Sequence, residues 1–532
     1  MVQCFDRNVH SRNINKVAMD HDSMIEMIVF LFLVLLISLI LSSSSNNSLQ
    51  LPPSPPSIPL LGHLHHLTPS LYKSLYTLSS KHGPLLLLRL GPSRRLLLLV
   101  SSAAVATDVF KTHDLAFSSR PAFAFAERLP FGTSGFVTAP YGPYWRFMKK
   151  LCVTELLSTR QLERSRSIRR EEILRSIKRV IDNARETVAL DLGSEFTKFT
   201  NNVTCRTAMS TSCAEKCEDA ERIRKLVKES FELAAKLCFG DVLGPFKELS
   251  FWVYGKKAID MSTRYDELLE EVLKEHEHKR LSRANGDQSE RDLMDILLDV
   301  YHDAHAEFKI TMAHIKAFFM DLFIAGTHTS AEATQWAMAE LLNHPEAFQK
   351  VRKEIELVTG NVRLVDESDI TNLPYLQAVV KETLRLYPPA PITTRECRQH
   401  CKINSFDVPP KTAVAINLYA IMRDPDSWDN PNEFCPERFL QEQDHEDLSD
   451  DGKRMKFNFV PFGGGRRGCP GTALAFSLMN TAVAAMVQCF DWKIGKDGKG
   501  EKVDMESGSG MSLSMVHPLI CVPVVHFIPY DI

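Results

Sequence analysis

The sequence predicts a mainly α-helical fold with a small β part, set behind an N-terminal membrane anchor. Three observations predict it. From residue 144 to residue 342 the apolar residues recur largely with a helical period. Glycine and proline bracket two short Leu-rich runs between residues 83 and 102, the pattern of a β-hairpin. A continuous apolar stretch, MIVFLFLVLLISLIL at residues 27–41, precedes both.

That stretch sets the start of the molecule. Counted from Met24, across Glu26, it reaches the minimum length of a bilayer-spanning helix. A cleaved signal peptide is the alternative, but no A-x-A-like site follows. Residues 24–41 are therefore read as a transmembrane anchor. Residues 42–59, SSSSNNSLQLPPSPPSIP, are a flexible polar spacer that stiffens into a proline hinge. Residues 1–23 read as a non-native or disordered extension. Arg7, Arg12 and Lys16 lie there and would hold the N-terminus in the cytosol, sending the domain to the lumen. The hexamer MVQCFD at residues 1–6 also recurs at residues 486–491. We expect translation to start at Met24 or Met27, which leaves the domain facing the cytosol; mass spectrometry of the native N-terminus checks this.

After residue 60 no linker interrupts the chain and no repeat of solenoid length appears, so residues 60–532 form one domain. GPLLLLRLGPSRRLLLLVSS supplies two strands turned at Gly91-Pro92-Ser93. DELLEEVLKEHEHKR is amphipathic and charged, hence a solvated surface helix, and GDQSERD after it is a loop. MAHIKAFFMDLFIAGTHTSAEATQWAMAELLNH is a central buried helix, apolar on most faces, which ends before Pro345. YLQAVVKETLRLYPP is another, stopped by Pro388-Pro389. KTAVAINLYAIM reads as one or two strands.

Composition excludes several functions. A hydrophobic share of 44% and a charged share of 24% are those of a globular protein. A net charge of -3, with no basic stripe interleaved with aromatics, argues against nucleic acid. Twelve cysteines without CxxC spacing fit free thiols in a reducing compartment. The sequon Asn202-Val203-Thr204 is then unused.

The chemistry concentrates in PFGGGRRGCPG at residues 461–471. Glycines allow a flat group to approach the backbone closely. Cys469 lies just ahead of a helical stretch, where N–H groups stabilise a thiolate. A buried free cysteine after a turn is the plain alternative. No second cysteine or histidine stands nearby, which argues against zinc. A single thiolate, wrapped in glycine-rich backbone and flanked by arginines for carboxylates, suits haem iron and its propionates.

Here the sequence resembles the cytochrome P-450 family, the haem-thiolate monooxygenases, from about residue 51 onward. The signature FxxGxRxCxG is complete as Phe462, Gly465, Arg467, Cys469 and Gly471. KETLR supplies the ExxR pair, Glu382 and Arg385, and PERF supplies Arg438, which closes a buried charge triad. WRFMK resembles the family's propionate-binding helix. Trp145 and Lys149 share a face at i, i+4, whereas Arg146 reads as a surface residue. Arg395 matches a further propionate-binding arginine. The resemblance implies Cys469 as axial iron ligand, with Trp145, Lys149, Arg395, Arg467, Phe462 and Gly471 around the haem. It also implies an NADPH-fed flavoprotein reductase as electron donor and a single-pass enzyme of the endoplasmic reticulum membrane, its catalytic domain in the cytosol.

AGTHTS, residues 325–330, falls on the family's oxygen-activating motif (A/G)Gx(D/E)T(T/S). Gly326 and Thr329 fit it. The small residue is expected to make room for oxygen, and the threonine to orient a water and to kink or widen the helix. His328 departs from the pattern, which has an acid there. It can be a working proton relay, since imidazole titrates near neutrality. It can instead mark an inactivating or unproductive variant or a sequence error, since one base separates Asp and His codons, or a shift toward rearrangement chemistry in a haem protein without oxygenase activity.

By the same resemblance the pocket draws on Phe123, Phe125, Phe131, Phe323, Ile392, Met511 and Leu513, each weighed against plain core. Together they imply an apolar cavity for a small hydrophobic substrate. The C-terminal VDMESGSGMSLSMVHPLICVPV resembles plant flavonoid, isoflavonoid and triterpenoid oxidases, and the expectation leans to a pentacyclic triterpenoid, with a flavonoid second.

Overall fold

In a computed structural model, the structure describes Val29 and residues 49–529, except 60, 69, 92–94, 123–125, 210–216, 241–247, 283–290, 361, 442–456 and 511. The anchor apart from Val29, the extension before it, most of the GDQSERD loop, Phe123, Phe125 and Met511 thus lie outside the described residues.

The chain opens with helix α1 (Leu71–His82) and the expected hairpin, β1 (Leu85–Leu90) against β2 (Arg95–Val100), antiparallel from Leu85 opposite Val100. A helical body follows. It comprises α2 (Pro143–Leu151), α3 (Arg166–Arg185), the two-residue strand β3 (Leu190–Asp191), α4 (Leu192–Met209), α5 (Cys217–Gly240), α6 (Glu248–Ser282) and α7 (Leu293–His302). Then come the long α8 (Met312–Asn343), α9 (Pro345–Thr359) and α10 (Pro374–Leu386). Strands β4 (Ile392–Glu396), β5 (Cys401–Ile403), β6 (Phe406–Val408) and β7 (Ala413–Asn417) precede α11 (Thr472–Cys489), β8 (Phe490–Ile494) and β9 (Ile520–Val525).

Helix α8 is the axis of the molecule and packs on α4, α5, α10 and α11. Its start is fixed locally: the Thr311 hydroxyl accepts from His314 N at 3.3 Å while His314 Nδ1 accepts from Thr311 N at 3.0 Å. Being apolar on most faces, it must be covered on most faces, and Phe319, Phe323, Trp336 and Leu341 are fully buried. Helix α10 begins at Pro374, and its two orphan N–H groups at Tyr375 and Leu376 are capped from α9 by the Glu354 carboxylate at 2.8 and 3.0 Å. Helix α11 alone among the described residues is long and apolar enough to cross a membrane, yet 67% of it is buried; its hydrophobicity serves the core.

The main sheet runs β1-β2-β7-β4, with β2 and β7 parallel and β4 antiparallel to β7. Residues 411–422, read as one or two strands, hold one. After Asn417 the chain turns into a short helix, Leu418–Ile421, because the Asn417 side chain accepts from Ala420 N at 3.2 Å. A second difference concerns α8. No π-type widening appears at residues 325–330: the helix is α throughout, and the Thr329 hydroxyl donates to Ala325 O at 2.7 Å.

Candidate active site

The loop before α11 folds back on itself to present Cys469. Cys469 N donates to Phe462 O at 3.0 Å, and Gly468 N to Gly465 O at 2.9 Å. Gly465 has φ +63°, and a Cβ there would lie 2.4 Å from Asp114 Oδ1 and 2.7 Å from Phe110 O, so only glycine closes this turn. Phe462 stacks on Phe476 and packs with Ala333, Val380, Leu384 and Met479, which locks the loop to α8, α10 and α11. Gly471 is the N-cap of α11, and a side chain there would begin 3.8 Å from Cys469 Sγ.

Cys469 keeps accessible surface although protein encloses it, so that surface opens onto the interior. Burial pushes its thiol up, while the Gly471 backbone N–H, the Lys149 ammonium and the Thr472 hydroxyl pull it down. A bound metal ion deprotonates such a thiol outright.

Around the loop lie four cations with no carboxylate within ion-pair distance among the described residues. Arg467 donates to Ser118 O and Ala139 O, both at 2.6 Å, and its guanidinium sits 4.3 Å over the buried Trp145 ring. Arg395 donates to Thr393 Oγ1 and Thr394 O at 2.9 Å and to Gly464 O at 3.4 Å. Lys149 Nζ donates to Gly468 O at 2.8 Å. The fourth is Arg120, which sequence reasoning missed. It donates to Thr394 O and Oγ1, and its Nε is buried without a partner. Burial lowers the affinity of Arg467 for its proton to a pKa of about 9, and of Arg395 well below the usual range, with repulsion from Arg120 next in each case. Neighbouring guanidiniums that repel one another, one with an orphan N–H, are a site for anionic oxygen. Two carboxylates beside a thiolate ligand are what haem brings, and these residues fit it.

The AGTHTS stretch divides by face. Gly326 backs onto α4: a Cβ would lie 2.9 Å from Thr204 Oγ1. Thr327 faces the same way, its hydroxyl donating to Asn201 Oδ1 at 3.3 Å and its carbonyl accepting from Thr200 Oγ1 at 2.5 Å. The smallness of Gly326 thus serves close helix packing, and Ala325 is the exposed small residue of the stretch. Thr329 lies one turn after it, half-buried. His328 Nε2 meets Glu332 Oε1 at 2.8 Å.

Two expected pocket residues are core instead. Phe323 packs with Phe319 in the cluster under α5 and α6. Leu513 packs on Tyr72 and Trp336, and its carbonyl accepts from Trp336 Nε1 at 2.9 Å. Phe131 and Ile392 are partly buried at cluster edges.

Asp321, two turns before Thr329, anchors the segment ahead of α2. Its Oδ2 accepts from Val137 N at 3.0 Å. Its residual accessible surface faces the interior, and burial raises its pKa from 3.8 to about 6 against the pull of Val137 N–H, Phe136 N–H and Arg120. The folded state therefore holds this proton more tightly than the unfolded chain, so the contribution of Asp321 to stability falls as pH rises from about 4 to about 6 and is level above. The cost at neutral pH is about 3 kcal/mol. Asp321→Asn is expected to remove that slope in thermal melts across pH, whereas an unchanged slope rejects the assignment.

A family model, "Cytochrome P450", matches residues 52–522. "Cytochrome P450 705A12" of Arabidopsis thaliana is 47% identical over 490 residues, 91% of this chain and 93% of that protein. "3,9-dihydroxypterocarpan 6A-monooxygenase" of Glycine max is 40% identical over 486 residues, 90% and 94% of the two chains. Among solved structures, a zebra fish cytochrome P450 with abiraterone superposes with a TM-score of 0.69 at 24% identity, over 86% of this chain and 99% of that one, which supports the fold. An internal cysteine at a glycine-built loop, unpaired cations for two carboxylates and these matches lead to one conclusion: the chain belongs to the cytochrome P450 family, the haem-thiolate monooxygenases.

Proposed function

We propose that this protein oxidises a C–H bond of a rigid, hydrophobic plant specialised metabolite, with a pentacyclic triterpenoid as the preferred class. The observation that carries the reaction type is the pairing of Cys469 with the unpaired Arg120, Arg395, Arg467 and Lys149. When bound there, haem supplies oxygen activation at an iron pushed by a thiolate. The chain's own part is positional. Cys469 would bind the iron. The four cations and Trp145 would hold the two carboxylates. On the open side of α8, Ala325 leaves room, Thr329 orients a water and His328 relays protons. A flavoprotein reductase fed by NADPH delivers single electrons, and residues 24–41 hold the enzyme on the endoplasmic reticulum membrane with its catalytic domain in the cytosol.

The apolar surroundings support a greasy scaffold over a sugar or an amino acid. The soybean relative's printed activity, on a pterocarpan, favours a second reading, a flavonoid or isoflavonoid substrate. Family membership and that relative's activity weigh against a haem protein without oxygenase function. Microsomes containing this protein and a reductase, offered pentacyclic triterpenes, flavanones and pterocarpans, test the choice. An NADPH-dependent product gaining one oxygen from a triterpene is the expected result; turnover confined to the flavonoid arms overturns it.

A further inference from the structure

We propose that Glu332 supplies the acid that position 328 lacks, so that protons reach the oxygen-binding face through a His328–Glu332 pair. The proposal rests on the monooxygenase reading above. Four observations carry it. His328 Nε2 lies 2.8 Å from Glu332 Oε1, one helical turn on. Glu332 is 5% exposed, and its Oε2 has no hydrogen-bond partner among the described residues. Glu332 follows Thr329 by three residues and Ala325 by seven, so the three lie on one flank of α8. The imidazole, 28% exposed, is held from α5 by the Phe231 ring at 4.5 Å between centroids, and Ser512 of the C-terminal turn donates to Glu332 Oε1 at 3.4 Å. Among the described residues no other ionisable side chain is within ion-pair distance of either member.

The related pattern has an acid at 328. Here a base stands at 328 and an acid one turn later, within hydrogen-bond distance of it. A pair that only fastened α8 would satisfy both carboxylate oxygens, because a buried polar atom without a partner is costly. An orphan Oε2 is instead a place for water or an exchangeable proton. A lone histidine that gave up its proton would change the charge of the interior at each turnover. Beside a carboxylate, a proton that the imidazole passes on is replaced across the Nε2–Oε1 contact, and the pair regains its charge when solvent reprotonates the carboxylate. The balance is that of the oxygenase reaction: two electrons from the reductase and two protons from solvent per O2, one oxygen atom entering the C–H bond and the other leaving as water. The pair forms and breaks only N–H and O–H bonds, handing protons toward the water oriented by Thr329. Glu332 is thus a positioning residue acting through His328.

The test uses the full chain in microsomes with reductase. Glu332→Gln, His328→Gln, the double variant and the transposed His328→Glu/Glu332→His are compared for peroxide released per NADPH oxidised, for the solvent isotope effect on NADPH oxidation, and for melting temperature. Glu332→Gln is expected to raise peroxide release by about tenfold or more, with the reduced, carbon monoxide-bound spectrum unchanged. The double variant should be no worse than either single one, melting temperatures should be non-additive, and the transposed pair should recover much of the loss. A Glu332→Gln enzyme that melts lower yet keeps the wild-type peroxide ratio and isotope effect overturns the proposal, since the pair would then be structural. So does a large gain in coupled turnover in His328→Asp. A wild type that binds carbon monoxide normally but neither consumes NADPH nor forms product overturns the oxygenase reading, and the pair with it.

Discussion

Cys469→Ser is expected to abolish the thiolate signature in the reduced, carbon monoxide-bound spectrum and to take NADPH-dependent turnover to background, while the chain stays folded. The substitution changes one atom in a loop whose shape is held elsewhere. The turn is set by Gly465, by the Cys469 N–H to Phe462 O and by the Phe462–Phe476 contact, and none of these uses sulfur. A serine hydroxyl is far less acidic than a thiol and is a hard, weak donor to iron. The electron push that assists oxygen cleavage goes with the sulfur. Circular dichroism, haem content and the difference spectrum of wild type and variant decide it. A wild type that takes up no haem, or a variant with an unaltered iron spectrum, rejects Cys469 as the ligand.

How much of this was legible in advance follows from how local each feature is. The cysteine loop occupies eleven consecutive residues, 461–471, so its glycines, arginines and thiol could be read together. The triad was equally readable, because Glu382 and Arg385 sit at i, i+3 on one helix. Arg120 was not, for it lies in irregular chain and meets the other cations only because Thr394 of β4 holds it there. Helix α8 defeated face assignment for a different reason. A helix apolar nearly all round carries no amphipathic stripe, so nothing in the spacing said that Phe323 packs into the core and Gly326 against α4 while Ala325 stays exposed. Leu513 was misplaced because its partners, Tyr72 and Trp336, are distant in sequence. The Glu332 carboxylate was overlooked since a lone acid on a helix is usually solvated; only its burial and its contact with His328 single it out.

The largest effect on stability is expected at Glu382. Its Oε1 accepts from Arg385 Nη2 at 2.8 Å, Cys435 N at 3.0 Å and Arg438 Nε at 3.1 Å, and its Oε2 from Arg385 Nε at 2.7 Å. Arg385 spends its remaining donors on Met422 O, Pro431 O and Glu433 O, and its guanidinium lies 5.2 Å over Trp428. The charges are fully buried at Glu382 and Arg385, so the pair is weak evidence for stability in itself but costly to half-remove. Glu382→Gln leaves Arg385 charged and buried with carbonyls and the Trp428 ring but no counter-charge. We expect a loss of about 3–5 kcal/mol, against a total of about 5–15 kcal/mol for a folded domain. Because the same bonds tie α10 to residues 422–438, which lead through Trp428, Phe439 and Phe459 to the Cys469 loop, haem retention should fall with stability. Urea unfolding and haem content measure both. Glu382→Met with Arg385→Met and Arg438→Met removes all three charges, and should cost less than Glu382→Gln if the stranded guanidinium is the cause. A single variant within about 1 kcal/mol of wild type, the scale of a surface ion pair, would show that the triad does not hold this part of the fold.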